Sequence, residues 1–96
     1  MIKSIKSKTT QDIFDGLNSK EARKLPGELH KKAWRLLDLM NGASRLEDLK
    51  IPPGNRLEAL SGNLKGFHSV RINDQWRIVF RWKDGNAEDV EIVDYH

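Results

Sequence analysis

The sequence predicts an α+β domain: a small twisted antiparallel β-sheet with two N-terminal helices packed on one face. Three observations predict it. Helical spacing of apolar residues is confined to the first half, most clearly at Leu29, Ala33, Leu36, Leu37 and Met40. Beyond residue 55 the period changes to two, above all in Trp76-Arg77-Ile78-Val79-Phe80-Arg81-Trp82. An Asp84-Gly85 pair, the residue types of a tight hairpin turn, then separates that run from a closing one. At 96 residues there is one core to bury and no room for a second lobe, so residues 1–96 form a single domain.

Element by element, Ile2 to Ile5 reads as a short first strand. Thr9-Thr10-Gln11-Asp12 has the spacing of a capping box, with Asp in place of the usual Glu, and opens a short helix through Ile13, Phe14 and Leu17. The segment Lys3 to Leu25 is lysine-rich and short of apolar anchors, the composition of a segment that orders on a partner. Pro26-Gly27 punctuates the chain, and Asn41-Gly42 ends an amphipathic helix of three to four turns whose role is to cover the sheet. Ser44 to Leu49 is a weaker turn, and Ile51-Pro52-Pro53-Gly54 is irregular. Arg56 to Leu60, His68 to Ile72, Trp76 to Trp82 and Ala87 to Tyr95 are the strands. Ser61-Gly62-Asn63 and Asn73-Asp74-Gln75 are the turns between the first three.

Period two sorts the strand residues by face. Trp76, Ile78, Phe80 and Trp82 share the core face, and Arg77, Val79 and Arg81 the other. Val70 and Ile72 oppose Ser69 and Arg71, so Arg71, Arg77 and Arg81 converge on the side away from the helices. At the end, Val90, Ile92 and Asp94 alternate against Glu91, Val93 and Tyr95. The plain role for these arginines is a solvated face with cross-strand ion pairs to Glu91. The functional one is an anion-binding surface.

Charge distribution leaves both roles open. Basic residues outnumber acids nine to four over residues 1–35 and seven to five over 36–82, whereas residues 83–96 carry one lysine against five acids. A basic body with a net charge of +3 suits a polyanionic partner, nucleic acid first, although a merely soluble basic protein has the same balance. The absence of cysteine excludes a disulfide framework, thiol catalysis and thiolate metal sites. No apolar run reaches the ~20 residues of a membrane span, and nothing resembles a signal peptide, so the expected location is the cytoplasm with no membrane partner.

Most catalytic patterns fail. His30, His68 and His96 lack metal-ligand spacing, no Gly-rich phosphate loop is present, and no serine occupies a nucleophile elbow, so neither metal nor cofactor is expected. What remains is arginine on a basic sheet and a terminal Asp94-Tyr95-His96, which brings a carboxylate, a phenol and an imidazole together. RNA supplies its own nucleophile, the 2′-hydroxyl. Its cleavage asks only for a base, a cation on the phosphorane and an acid for the leaving 5′-oxygen. A planar guanidinium fork suits the cation's task.

Asn55-Arg56-Leu57-Glu58-Ala59-Leu60-Ser61-Gly62, the run from His68 to Ile78 with its Arg-Ile-Asn-x-x-Trp-Arg block, and Val90 to His96 resemble the HigB toxins of the RelE superfamily, as does Met1-Ile2-Lys3-Ser4. The resemblance implies a ribosome-dependent endoribonuclease that enters the small-subunit decoding site and cuts mRNA without metal. It also implies a helix-turn-helix antitoxin that restrains it, with operator DNA bound only through that antitoxin. By position, Asp94 and His96 carry the acid–base chemistry, Tyr95 orients or stacks on RNA, and Arg71 and Arg77 stabilise the scissile phosphate. Trp76 is assigned to packing, and Lys65, His68 and Arg81 are RNA-binding candidates. Two departures stand out. Some relatives carry histidine at the position of Glu58 and lysine at that of Ser61, and Lys65 and His68 are the residues placed to compensate. Weaker cleavage is the expectation. The alternative is a binding module that occupies the ribosome or a repressor complex without catalysis.

Overall fold

Asp84 and Gly85 both adopt left-handed backbone, with φ of 51° and 78°. That geometry matches the right-handed twist of the strands it joins, so β3 (Trp76–Lys83) and β4 (Asn86–Asp94) form a tight hairpin. Asn73 makes the preceding turn. Its Oδ1 accepts from the amides of Gln75 and Trp76 at 2.9 and 2.8 Å and so returns β2 (Phe67–Arg71) onto β3. A two-residue β1 (Glu58–Ala59) completes an antiparallel sheet in the order β1-β2-β3-β4. The computed structural model describes residues 1–95, and the candidate His96 lies outside the described residues.

Two helices cover one face, as the periodicity predicts. Helix α2 (His30–Gly42) buries Ala33, Leu36, Leu37 and Met40 against Val70, Ile72, Ile78, Phe80, Ala87, Val90 and Ile92. Phe80, fully buried at the centre, is the side chain whose truncation to Ala costs most, about 3–5 kcal/mol. No helix of the described residues is long and apolar enough to cross a membrane.

Four local expectations change. Helix α1 (Lys8–Phe14) starts earlier than a Thr9 capping box would have it, because Ser7 is the cap and its Oγ accepts from the Thr10 amide. Thr10 is thereby freed for the core, where its hydroxyl accepts from the Ile92 amide at 2.9 Å. The Lys3 to Leu25 segment packs onto the sheet. Its anchors include polar groups: buried Asp12 accepts from Ser19 Oγ at 2.6 Å and from Lys8 Nζ at 3.2 Å, the serine bond foremost in holding its carboxyl below the usual carboxylate range. Ala22 and Leu25 close behind it, fully buried. Ile2 to Ile5 is not a regular strand. It makes isolated parallel bridges to Ala87 and Val90, with the Lys3 and Lys6 amides donating to the carbonyls of those residues at 2.7 and 2.8 Å. The open edge of β4 is covered in this way.

The fourth change concerns strand ends. The expected Arg56–Leu60 strand shrinks to β1 because Arg56 is left-handed, at φ 46°. In β4 one residue is extra: Val79 faces Glu91 while Arg81 faces Glu88, so Asp89 and Val90 together oppose Phe80. Asp89 takes the left-handed position, at φ 52°, and the shift lets Ala87 and Val90, three residues apart, both face the core.

Candidate active site on the outer sheet face

Register builds the site. Arg71 lies across from Arg77, Ser69 across from both Val79 and Glu58, Phe67 across from Arg81, and Val93 across from Arg77. Directly paired residues share a face, so all of these point away from the helices. On a bare sheet they would be solvated. Yet Ser69 is 0% and Arg77 8% exposed, because the arginine side chain lies flat along the face.

A buried guanidinium needs partners. Arg77 Nε donates to Ser69 Oγ at 2.7 Å, and Nη2 donates to the Arg56 carbonyl at 2.7 Å. The Glu58 carboxylate stands 3.5 Å from Nη2. Above the fork sits the Tyr95 ring, its centroid 5.6 Å from the guanidinium carbon and its outer surface in part exposed. The remaining nitrogen, Nη1, takes no hydrogen bond among the described residues. One edge of the fork is thus fixed by protein, the preorganisation that a phosphate ligand needs. Arg71 brings a second positive charge beside it and pairs with the exposed Asp74.

The ion pairs of this face are therefore not with Glu91. Glu58 serves Arg77, Asp74 serves Arg71, and Asp89 approaches Arg81 at 3.5 Å. Arg81 lies farther along the face, its guanidinium 4.5 Å from the Phe67 ring centroid.

Not every sequence candidate joins the cluster. Asp94 pairs across the sheet with Trp76, which gives it the core-side parity at the sheet end, and its Oδ2 accepts from Gln75 Nε2 at 3.1 Å. His68 is across from Phe80 on the core face, its ring stacked on that phenyl at 6.1 Å between centroids. Burial pushes its pKa down, and Nδ1 is enclosed without a hydrogen-bond partner among the described residues. With Leu46, Glu47, Lys50, Leu57 and Ala59 it lines a cavity of roughly 300 Å³ on the side opposite Arg77. Lys65 is exposed in the turn that precedes β2, following a short helical turn at Gly62–Leu64. No group of three or more metal-ligating side chains occurs among the described residues.

Two residues of the cluster escape sequence reasoning. Glu58 reads there as a gap, and β1 is too short for alternation to give its side a direction. Ser69 was assigned the face of Arg71, but nothing in spacing marks it as the acceptor for Arg77.

Similarity agrees with the geometry. Residues 3–96 match the model of HigB-like toxins, described as RelE-like toxins of the type II toxin–antitoxin system HigB. The chain is 39% identical over 87 residues to Toxin HigB-1 of Vibrio cholerae serotype O1, covering 91% of this chain and 90% of that one. It is 30% identical over 67 residues to an uncharacterised protein of Haemophilus influenzae, covering 70% and 66% of the two chains. Among solved structures, its fold is similar to the YoeB–YefM complex from Staphylococcus aureus, with a TM-score of 0.61 at 20% identity over 100% of this chain and 98% of that one. YafQ from E. coli strain BL21(DE3) is similar in fold as well, with a TM-score of 0.57 at 14% identity over 98% and 93%. With nearly its whole length matched, the chain belongs to the HigB-like family of RelE-like toxins from type II toxin–antitoxin systems.

Proposed function

We propose that this toxin is a ribosome-dependent mRNA endonuclease that cleaves by attack of the substrate's own 2′-hydroxyl, without a metal. The observation that carries this reading is the Arg77 guanidinium, held on Ser69 and Arg56 on the outer face of the sheet, across from Arg71. Its fixed positive edge stabilises charge as the phosphorane forms, at no reorganisation cost. Arg71 adds charge at the same phosphate. Tyr95, seated on Arg77, offers its exposed ring to a base of the message.

The reaction needs two proton transfers. A base takes the 2′-hydroxyl proton as that oxygen bonds to phosphorus; an acid protonates the departing 5′-oxygen, leaving a 2′,3′-cyclic phosphate. Glu58 is the carboxylate paired with Arg77, and we assign it the base. His96, which follows Tyr95 directly, is assigned the acid. Asp94, on the other parity, supports the chain end through Gln75 in place of contacting RNA. Lys65 and Arg81 are placed for longer-range attraction to the message.

The partners on this reading are the small-subunit decoding site, mRNA, and a helix-turn-helix antitoxin that contacts operator DNA on the toxin's behalf; the setting is the cytoplasm. Translating ribosomes carrying a defined message test it. The wild type is expected to cut the message, and His96→Ala to bind the ribosome but cut at least about 100-fold more slowly. Ribosome binding with no cleavage by the wild type supports the second reading, a binding module, which the core-side parity of Asp94 favours.

A further inference from the structure

Among the described residues, three other than glycine have positive φ: Arg56, Asp84 and Asp89. The two aspartates have local reasons, one in the hairpin turn and one in the bulge, and Asp tolerates this region well. Arg56 ends the short helical turn Pro53–Asn55, a place where a left-handed residue is common but glycine is the usual type. What its conformation achieves is remote in sequence: it aims the Arg56 carbonyl at Arg77 Nη2, 21 positions away, at 2.7 Å.

The turn is held from below. Asn55 is 4% exposed, and its Nδ2 donates to the carbonyls of Leu49 and Ile51, both at 3.2 Å. The Asn55 and Arg56 amides donate to the carbonyls of Pro52 and Pro53 at 3.0 and 3.1 Å. A buried amide with two carbonyl acceptors pins the loop on one side of Asn55, and the left-handed residue redirects the backbone on the other. Glu58 follows two residues on, so the same segment sets two of the three groups that stand at Nη2, the Ser69 carbonyl at 3.5 Å being the third.

We propose that the Asn55–Arg56 turn is a positioning device for Arg77: Asn55 locks the loop, the left-handed Arg56 carbonyl fixes Nη2, and Nη1 is thereby directed at the scissile phosphate. The role of Nη1 rests on the function proposed above; the locking of the guanidinium does not. Arg56 acts here through its backbone. A misplacement of the fork by about 1 Å is enough to lower the rate on the order of 100-fold without weakening ribosome binding.

The test combines single-turnover cleavage on translating ribosomes with side-chain NMR of Arg77 Nε–H exchange in the free protein. Four variants are compared at temperatures where each retains its native circular dichroism. Asn55→Asp keeps the shape but removes the donor. Asn55→Ala removes both donor and bulk. Arg56→Val resists the left-handed region, and Arg56→Gly adopts it freely. The expected result is faster Nε–H exchange and a roughly 10- to 100-fold lower cleavage rate in both Asn55 variants and in Arg56→Val, with half-saturation by ribosomes unchanged. Arg56→Gly recovers slow exchange and most of the rate lost in Arg56→Val. Slow exchange in Asn55→Asp, or equal loss of rate in Arg56→Gly and Arg56→Val, overturns the proposal. If the wild type cleaves nothing, the assigned function fails, while the exchange data still decide whether the turn locks Arg77.

Discussion

The ring of Tyr95 lies over the guanidinium of Arg77, 5.6 Å from carbon to centroid, where the end of β4 meets the start of β3. Tyr95 is 41% exposed, so a base that stacks on its ring would lie close to the arginine. Tyr95→Ala is expected to weaken productive mRNA binding by about 1–3 kcal/mol, or roughly 5- to 150-fold, and Tyr95→Phe to recover most of it. Ribosome-bound cleavage at varied toxin concentration reads this out. Equal losses in the two variants would assign the hydroxyl, not the ring.

Glu58 turns a departure from the family pattern into a test. Glu58→Gln keeps the volume beside Arg77 and removes the base, so the maximal cleavage rate is expected to fall about 10²- to 10⁴-fold. Glu58→His, tested with Ser61→Lys, is expected to raise the rate at neutral pH, because a base with pKa near 6.5 is better matched to it. The acidic limb of the pH–rate profile should move upward in the histidine variant. A Glu58→Gln rate within twofold of wild type removes Glu58 from the chemistry.

His68 makes stability depend on mild acid. In the unfolded chain its imidazole takes a proton near pH 6.5, whereas burial beside Phe80 holds the folded value lower. Between the two values the unfolded state binds more protons. The contribution is therefore complete above about pH 6.5 and is lost as pH falls toward the lowered value. Thermal melts of wild type should show Tm declining from pH 7 to pH 5.5, with a smaller decline in His68→Phe. Parallel declines would mean that another group titrates.

Thr10 carries the junction between α1 and β4. Thr10→Val preserves shape but leaves the buried Ile92 amide without its acceptor, at an expected cost of about 1–3 kcal/mol. Urea unfolding measures it. A change below about 0.5 kcal/mol would mean that a water takes over the bond.

Alternation in Trp76 to Trp82 and helical spacing in Leu29 to Met40 are long, regular signals, and both the sheet and its helical cover were legible from them. Arg71 and Arg77 were placed on one face by the same parity. What stayed hidden depends on groups distant in sequence. The N-terminal segment looked unanchored because its few apolar anchors, Ile13, Ala22 and Leu25, are widely spaced and the Thr10 hydroxyl and Asp12 carboxylate add bonds that no hydrophobic pattern records. The extra residue in β4 exists only relative to β3. Asp94 and Tyr95 were read as one constellation because they are adjacent, but adjacent strand residues point to opposite faces, and Tyr95 is the one on the face of Arg77.

The central claim is that Arg77, locked on the outer face, is the electrostatic centre of an RNA-cleaving site. Its most direct measurement is the single-turnover rate of message cleavage on translating ribosomes by wild type, Arg77→Lys and Arg77→Ala, with ribosome binding measured in parallel. The account predicts cleavage by wild type and a fall of about 10²- to 10³-fold in both variants, lysine included because its single ammonium cannot span Ser69, Arg56 and a phosphate at once. Cleavage by a folded, ribosome-bound Arg77→Ala within threefold of wild type would contradict it.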